Sequence, residues 1–410
     1  MASTYARTFD DVFLTPEFFA DPYPFYHQLR DDEPVYWSER LNAWLLTRYE
    51  DVLAALSDKR LGSAGRIEAI LGRLPHGTQP EFHALLGHMN SMMAFTDPPD
   101  HTRLRRLVGR AFTPRAASRL QDQIQSIVDD SLKAIAGKTE VDLVGEFAFQ
   151  LPSIVISEML GIPREHRDKV KTWSDDVVRF VSGGAVTVDV ARRAQESVSE
   201  ATDYLMALAD ARRRQPQDDL MSALVEVAED GDRLTEHELV AMCVLLFFAG
   251  FETTEGLIGN GLLALMNHPD QMSQLDADPG LIGPAVEEFL RYNNSVQRQS
   301  RVAGEDFMIG NKLIREGDYV AMFIGAANRD PEQFPEPDRL DITRDPNRHV
   351  AFGHGIHSCL GGPLARVEGQ IAISTILERF PEMRLISEEL EWEHLVAIRK
   401  LKALRVSLEA

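Results

Sequence analysis

Cysteine is scarce in this chain: Cys243 and Cys359 are its only two, in dissimilar settings. That excludes a disulfide scaffold and fits a reducing compartment. Positive charge is also short, 43 basic residues against 64 acidic for a net −21, which argues against general nucleic-acid binding. No long hydrophobic run is present. The longest, Leu239 to Phe251, is too short to cross a bilayer and reads as a buried helix. The first residues, Met-Ala-Ser-Thr-Tyr-Ala-Arg, have no signal-peptide apolar core. No Ser/Gly/Pro-rich linker, repeat or low-complexity stretch divides the chain. These absences predict one domain over residues 1–410, soluble and cytoplasmic, with no nucleic-acid or membrane partner. Its 44% hydrophobic content suffices for a sizeable core.

What is present centres on Phe352-Gly-His-Gly-Ile-His-Ser-Cys-Leu-Gly361. Gly353, Gly355, Gly361 and Gly362 remove bulk around the Cys359 sulfur, so that backbone or a ligand can approach closely. Pro363 suits the first position of a helix, and Leu364, Val367, Ile371, Ile376, Leu377 and Phe380 continue with near-helical spacing. A lone sulfur on a glycine-lined loop before a helix N-terminus is a candidate thiolate and a candidate axial ligand to haem iron. Two blander readings stand beside it. One is a buried free cysteine in a turn. The other is zinc held by His354, His357 and Cys359, which lacks the fourth ligand that structural zinc sites take.

Upstream, residues 16–30 read as one helix, Val35–Trp37 and Ala43–Thr47 as a strand pair, and Tyr49–Leu56 as another helix. Residues 62–95, broken by Pro75, Gly77 and Pro80 and carrying Met89, Met92 and Met93, read either as an adaptable wall or as a core-covering loop. From His101 to Leu120 there are six arginines and no acid, notable in so acidic a chain. His101 and Arg105 share one helical face, four apart, while Arg103, Arg106 and Arg110 form another strip. Gly183-Gly184 reads as a mobile connection between helices. Thr235-Glu-His-Glu238 is a capping box opening a helix to about Asn267. Its middle is apolar all round, yet holds Ala249-Gly-Phe-Glu-Thr-Thr254. A carboxylate and two hydroxyls inside an apolar helix are costly unless used. Glu288 and Arg291 are spaced for an ion pair on one helical face. Arg301 opens a strand, residues 309–317 form a hairpin, and Leu395–Leu404 forms another.

Phe-x-x-Gly-x-His-x-Cys-x-Gly resembles the haem-binding loop of the cytochrome P450 family. The run at 249–254 resembles that family's oxygen-activating segment, and Glu288-x-x-Arg291 with Pro337-Asp-Arg-Leu340 resembles its Glu–Arg–Arg cluster. The resemblance implies a mainly α fold with a small β region. It is a triangular helical prism, with haem between the long central helix and the helix after the cysteine loop. It implies haem b, with Cys359 on the metal and His101, Arg105, Arg301 and His357 on the propionates. Glu252 and Thr253 become the acid–alcohol pair, and Glu288, Arg291 and Arg339 a structural brace. The Arg103, Arg106, Arg110 strip becomes a docking surface for an acidic ferredoxin, since no flavin or nicotinamide motif occurs here. Family layout places Met92, Met93, Leu245, Phe248, Ala249, Val296, Gln297, Ala397 and Ile398 around an apolar substrate. The implied activity is a haem-thiolate monooxygenase using O2, hydroxylating or epoxidising a secondary metabolite, terpenoid, steroid or fatty acyl compound. A non-catalytic haem sensor or carrier is the alternative, and the intact acid–alcohol pair argues against it. The same pair disfavours a peroxide-driven peroxygenase.

Overall fold

The structure, a computed structural model, describes residues 9–109, 120–184, 186–229, 232–386 and 389–408. Helices dominate it, and short sheets flank them. The stretch read as one N-terminal helix is two, Pro16–Ala20 and Tyr23–Asp32. Pro22 causes the break, because it has no N–H to donate, and the Asp21 carboxylate instead accepts from the Tyr23 amide at 3.2 Å. Val35–Ser38 pairs antiparallel with Ala43–Leu46 as expected, and Tyr49–Ser57 is the next helix. The ambiguous stretch after it is ordered. It forms helices Arg66–Leu71 and His83–Asn90 with 3-10 turns around them, and Leu85, Met89, Met92 and Met93 are all buried.

The largest sheet among the described residues runs Val35–Ser38, Ala43–Leu46, Tyr319–Phe323, Arg298–Ala303, Leu61–Gly62, with one parallel pairing between its second and third strands. Residues 307–314 make the expected hairpin. At the C-terminal end the expected hairpin is an irregular loop closed by single bridges, Trp392 to Leu401 and Val296 to Ile398.

The axis of the fold is the 32-residue helix Glu236–Asn267, about 48 Å long. Thr235 accepts from the Glu238 amide and Glu238 reaches back to the Thr235 amide, the capping box read from sequence. By composition this helix could cross a membrane, but 83% of its most apolar window is buried inside the protein. Its first half, through Phe247, packs into one hydrophobic core. Its second half, from Leu257, packs into another. The polar run at 249–254 falls between them. Cys243 lies in the first core with its sulfur 4.0 Å from that of Met221, and burial pushes its thiol up to about 12, as suits an inert core residue.

The helix after the cysteine loop, Gly362–Arg379, crosses this axis closely at Gly369, where a Cβ would stand 3.0 Å from Leu257. The site is built around this crossing.

Candidate functional site

The cysteine loop is shaped by its backbone. The Cys359 amide donates to the Phe352 carbonyl at 2.8 Å, and Ser358 donates to Gly355 at 3.1 Å. Gly353 and Gly355 sit at φ +69° and +71°, conformations that other residues rarely adopt. At Gly355 a Cβ would also meet the Leu56 carbonyl at 3.0 Å. Side chains then fix the loop from outside. Arg105 donates to the Ser358 carbonyl at 2.6 Å. Arg366 stands 4.4 Å over the Phe352 ring and pairs with Glu287, which also meets His349 at 3.0 Å. Burial alone would raise the Glu287 carboxyl, but His349 and Arg366 bring it down to about 2.

Cys359 is accessible, and the amides of Gly361 and Gly362 face its sulfur. Burial raises its thiol. The amides of Gly361 and Gly362 and the charges of Arg105 and Arg366 oppose that without cancelling it. The loop therefore favours a thiolate only once a further cation faces the sulfur. Among the described residues, no group of three or more His, Cys, Asp or Glu is placed to hold a metal ion by itself.

Beside the loop lies a cluster of buried nitrogen groups short of partners. The rings of His101 and His357 are 4.1 Å apart. Both ring nitrogens of His101 and one of His357 are buried without a hydrogen bond among the described residues. Arg301 is 3% exposed, and among the described residues its guanidinium bonds only its neighbour's carbonyl, Ser300, at 2.8 Å. Burial, then His357 and Arg105, lowers His101 to about 4, and burial, then Arg66, lowers Arg301 to about 9. Asp97 is the nearby acid, 3.9 Å from His357. Buried donors left unpaired cost about 1–3 kcal/mol each, so this cluster is built for anions from elsewhere. Two carboxylates beside a sulfur-ligated iron are what haem b would bring, and the residues fit it. Sequence reasoning missed Arg66, whose charge acts on Arg301 and His357, because it stands in a stretch with two open readings.

On the central helix, Ala249 is exposed and Phe248, Gly250 and Thr253 are half-buried, while Thr254 to Leu265 are buried. Thr253 Oγ1 donates to the Ala249 carbonyl at 2.9 Å, and Thr254 Oγ1 donates to Gly250 at 3.0 Å. The Ser295 hydroxyl donates to the Thr253 carbonyl at 2.7 Å. Such bonds loosen a helix locally and leave its open face polar. Glu252 points the other way. It is 2% exposed and lies 2.8 Å from the Lys400 ammonium, which also bonds Glu255 at 3.0 Å. Sequence gave no signal for Lys400, since a cation in a C-terminal loop is ordinarily solvated.

The structural brace needs one correction. Glu288 and Arg291 form the expected pair at 2.8 Å, fully buried. The third member is Arg344, 3.3 Å from Glu288, and Asn347 adds a bond at 3.1 Å. Arg339 gives only its backbone carbonyl to Arg291, and its exposed side chain pairs with Glu336. A tight turn at Glu336 to Arg339 carries the guanidinium outward.

The arginine strip is also altered. Arg103 is bonded to Glu238 and lies 3.4 Å from Asp232, so it ties its helix to the start of the central one rather than standing outward. Arg106 is 42% exposed and 3.9 Å from Asp232. Arg110 lies outside the described residues. Of the expected substrate wall, Phe248 and Ala249 reach the open stretch, and Leu245 is buried in the core beside them. Val296, Ala397 and Ile398 meet through the Val296–Ile398 bridge and the Gln297 amide to Ala397 carbonyl bond at 2.9 Å. The Gln297 side chain turns inward to Asn294 at 2.6 Å and is packed against Gly325, so it is a packing residue. Met92 and Met93 are core residues. Gly184, read as mobile, is tightly packed: a Cβ there would meet Leu14 at 2.2 Å and Val396 at 2.8 Å.

Comparison with known proteins places these observations. The cytochrome P450 family model matches residues 67–278 and 281–391. Cytochrome P450 107B1 of Saccharopolyspora erythraea is 45% identical, covering 97% of this chain and 96% of that protein. Vitamin D(3) 25-hydroxylase of Pseudonocardia autotrophica is 42% identical, covering 100% and 99%. Among solved structures, P450BioI in complex with an acyl carrier protein ligated to hexadec-9Z-enoic acid superposes with a TM-score of 0.90 at 39% identity, covering 96% and 99%.

Proposed function

This chain belongs to the cytochrome P450 family, and from that premise we propose that it is a ferredoxin-driven monooxygenase of an apolar small molecule. Family membership carries with it an oxidoreductase of the monooxygenase class, and haem b with a cysteine thiolate as axial ligand. When bound, the haem supplies the activation of O2, one atom going to substrate and the other to water.

Each residue then has a task. Cys359 provides the thiolate, which the Gly361 and Gly362 amides support. His101, Arg301 and His357 hold the propionates. Arg105 both reaches that cluster and pins Ser358. Thr253 presents its hydroxyl at the open face of the central helix, where it holds water and a proton. Glu252 supplies protons from the interior side. The observation that carries this reading is the group of buried His101, His357 and Arg301 nitrogens, short of partners among the described residues, beside the accessible Cys359.

For the substrate, Phe248, Ala249, Val296, Ala397 and Ile398 offer a mostly apolar surface. The relatives named above include a vitamin D(3) hydroxylase, and another relative is the PikC monooxygenase of Streptomyces venezuelae. One structural neighbour holds a fatty acyl chain on a carrier protein. A steroid-like or fatty acyl compound therefore suits this site.

The proton role has a direct test. Replacing Thr253 with valine keeps the volume and removes the hydroxyl. NADPH and O2 should still be consumed through a surrogate ferredoxin, while product per NADPH falls about tenfold and hydrogen peroxide rises. An unchanged ratio would make Thr253 a helix-bending residue only. The electron donor is tested on the charged face. Arg106→Glu should slow haem reduction by ferredoxin about fivefold at low salt, and high salt should erase most of the difference. Equal rates at low salt would remove Arg106 from the docking surface.

A further inference from the structure

The central helix has a second polar feature beyond its open face. Glu252 and Glu255 are both buried, and the Lys400 ammonium lies between them at 2.8 and 3.0 Å. Lys400 comes from the irregular C-terminal loop, more than a hundred residues away in sequence. Its position is fixed by backbone. The Arg399 amide donates to the Ser295 carbonyl at 2.7 Å, and the Arg399 carbonyl accepts from the Asn260 side chain at 3.0 Å. The Lys400 carbonyl accepts from the Glu393 amide at 3.0 Å.

Gly256 makes this approach possible. A Cβ there would stand 2.7 Å from the Ser295 side chain and 3.3 Å from the Arg399 carbonyl. With no side chain at 256, the loop lies against the helix and delivers the lysine between residues 252 and 255. Farther out, Lys171 and Asp175 pair with each other at 2.5 Å on the neighbouring helix Arg167–Ser182. Lys400, Glu255, Asp175 and Lys171 are thus the charged groups around Glu252.

We propose that Lys400 is a positioning residue for proton delivery: seated by Gly256, its ammonium holds Glu252 as a paired carboxylate turned away from the open face of the helix. This rests on the reading of Glu252 as the proton-supplying acid. Lys400 is a counter-charge rather than a donor. Burial alone would favour its neutral form, but Glu255 and Glu252 more than offset this and raise its affinity for its proton. Burial raises Glu252 in turn, and Lys400 restrains that rise while Glu255 adds to it. Without Lys400, two buried carboxylates would face each other with no cation between them, and protons would occupy them at neutral pH. With it, Glu252 accepts a proton arriving from solvent, passes it toward Thr253, and returns to the ion pair.

The test follows the Glu252 carboxyl itself. In haem-loaded protein at rest, infrared titration reports the protonated carboxyl band, assigned by its loss in Glu252→Gln. Lys400→Met should raise the midpoint of that band by about one pH unit or more, the size of effect a lost opposite charge within 4 Å produces. Product per NADPH should change its pH profile in the same direction. Lys400→Arg should restore both, since charge and hydrogen bonding return. An unmoved midpoint in Lys400→Met, with Glu252→Gln impaired in coupling, would overturn this inference alone. Wild-type coupling in Glu252→Gln would overturn the underlying reading of Glu252, and the inference with it. Should Lys400→Met fail to fold, Lys400→Met/Glu255→Gln removes charge pairwise. Its midpoint against that of Glu255→Gln alone then decides the question in the same terms.

Discussion

Arg291→Leu is expected to yield little folded protein and almost no haem incorporation. The guanidinium is fully buried and saturated. It makes two bonds to Glu288, at 2.8 Å each, and donates to the carbonyls of Asn328, Pro337 and Arg339 at 3.0, 2.7 and 3.1 Å. Those carbonyls belong to the chain leading into the cysteine loop. Leucine leaves them unpaired and leaves a buried carboxylate with Arg344 as its remaining cation among the described residues. Breaking a buried pair in this way costs about 3–5 kcal/mol. Whole-protein stability is on the order of 5–15 kcal/mol, so the loss is a large fraction of it. Arg291→Lys should not rescue, because an ammonium cannot reproduce the planar fork. Unfolding midpoints and haem content per chain check this, and a wild-type midpoint in Arg291→Leu would contradict it. The same assay separates the two candidates for third member. Arg344→Ala should destabilise clearly, while Arg339→Ala should stay within about 0.5 kcal/mol of wild type, as exposed substitutions usually do.

That contrast shows what sequence could and could not reveal. Features specified by a few neighbouring residues were legible. The capping box at Thr235 and Glu238 and the Glu288–Arg291 spacing are both local, and both formed as read. Features decided by where a distant chain returns were not. Arg339 and Arg344 are five residues apart, and only the turn between them determines which guanidinium faces Glu288. Arg103 looked like an outward charge because its partners, Asp232 and Glu238, stand more than a hundred residues on. The helix break at Pro22 was visible as a residue, but the hydrophobic pattern across 16–30 concealed it. Lys400 is the extreme case. Nothing near it in sequence is acidic in the right register, and its role depends on a glycine at 256 that merely clears space.

We propose that the sulfur of Cys359 takes haem iron beside the cluster of His101, Arg301 and His357. Cys359→Ser tests it. The substitution keeps size and leaves the loop's backbone bonds and the propionate cluster in place. Haem should therefore still bind, though more weakly. The reduced carbon monoxide complex of the wild type should show the red-shifted Soret band that thiolate ligation produces. The serine variant should lose that band and, with it, at least about a thousandfold in turnover, because the thiolate is what drives O–O cleavage. A serine variant with the wild-type spectrum would show that another group ligates the iron, and the assignment of Cys359 would fall.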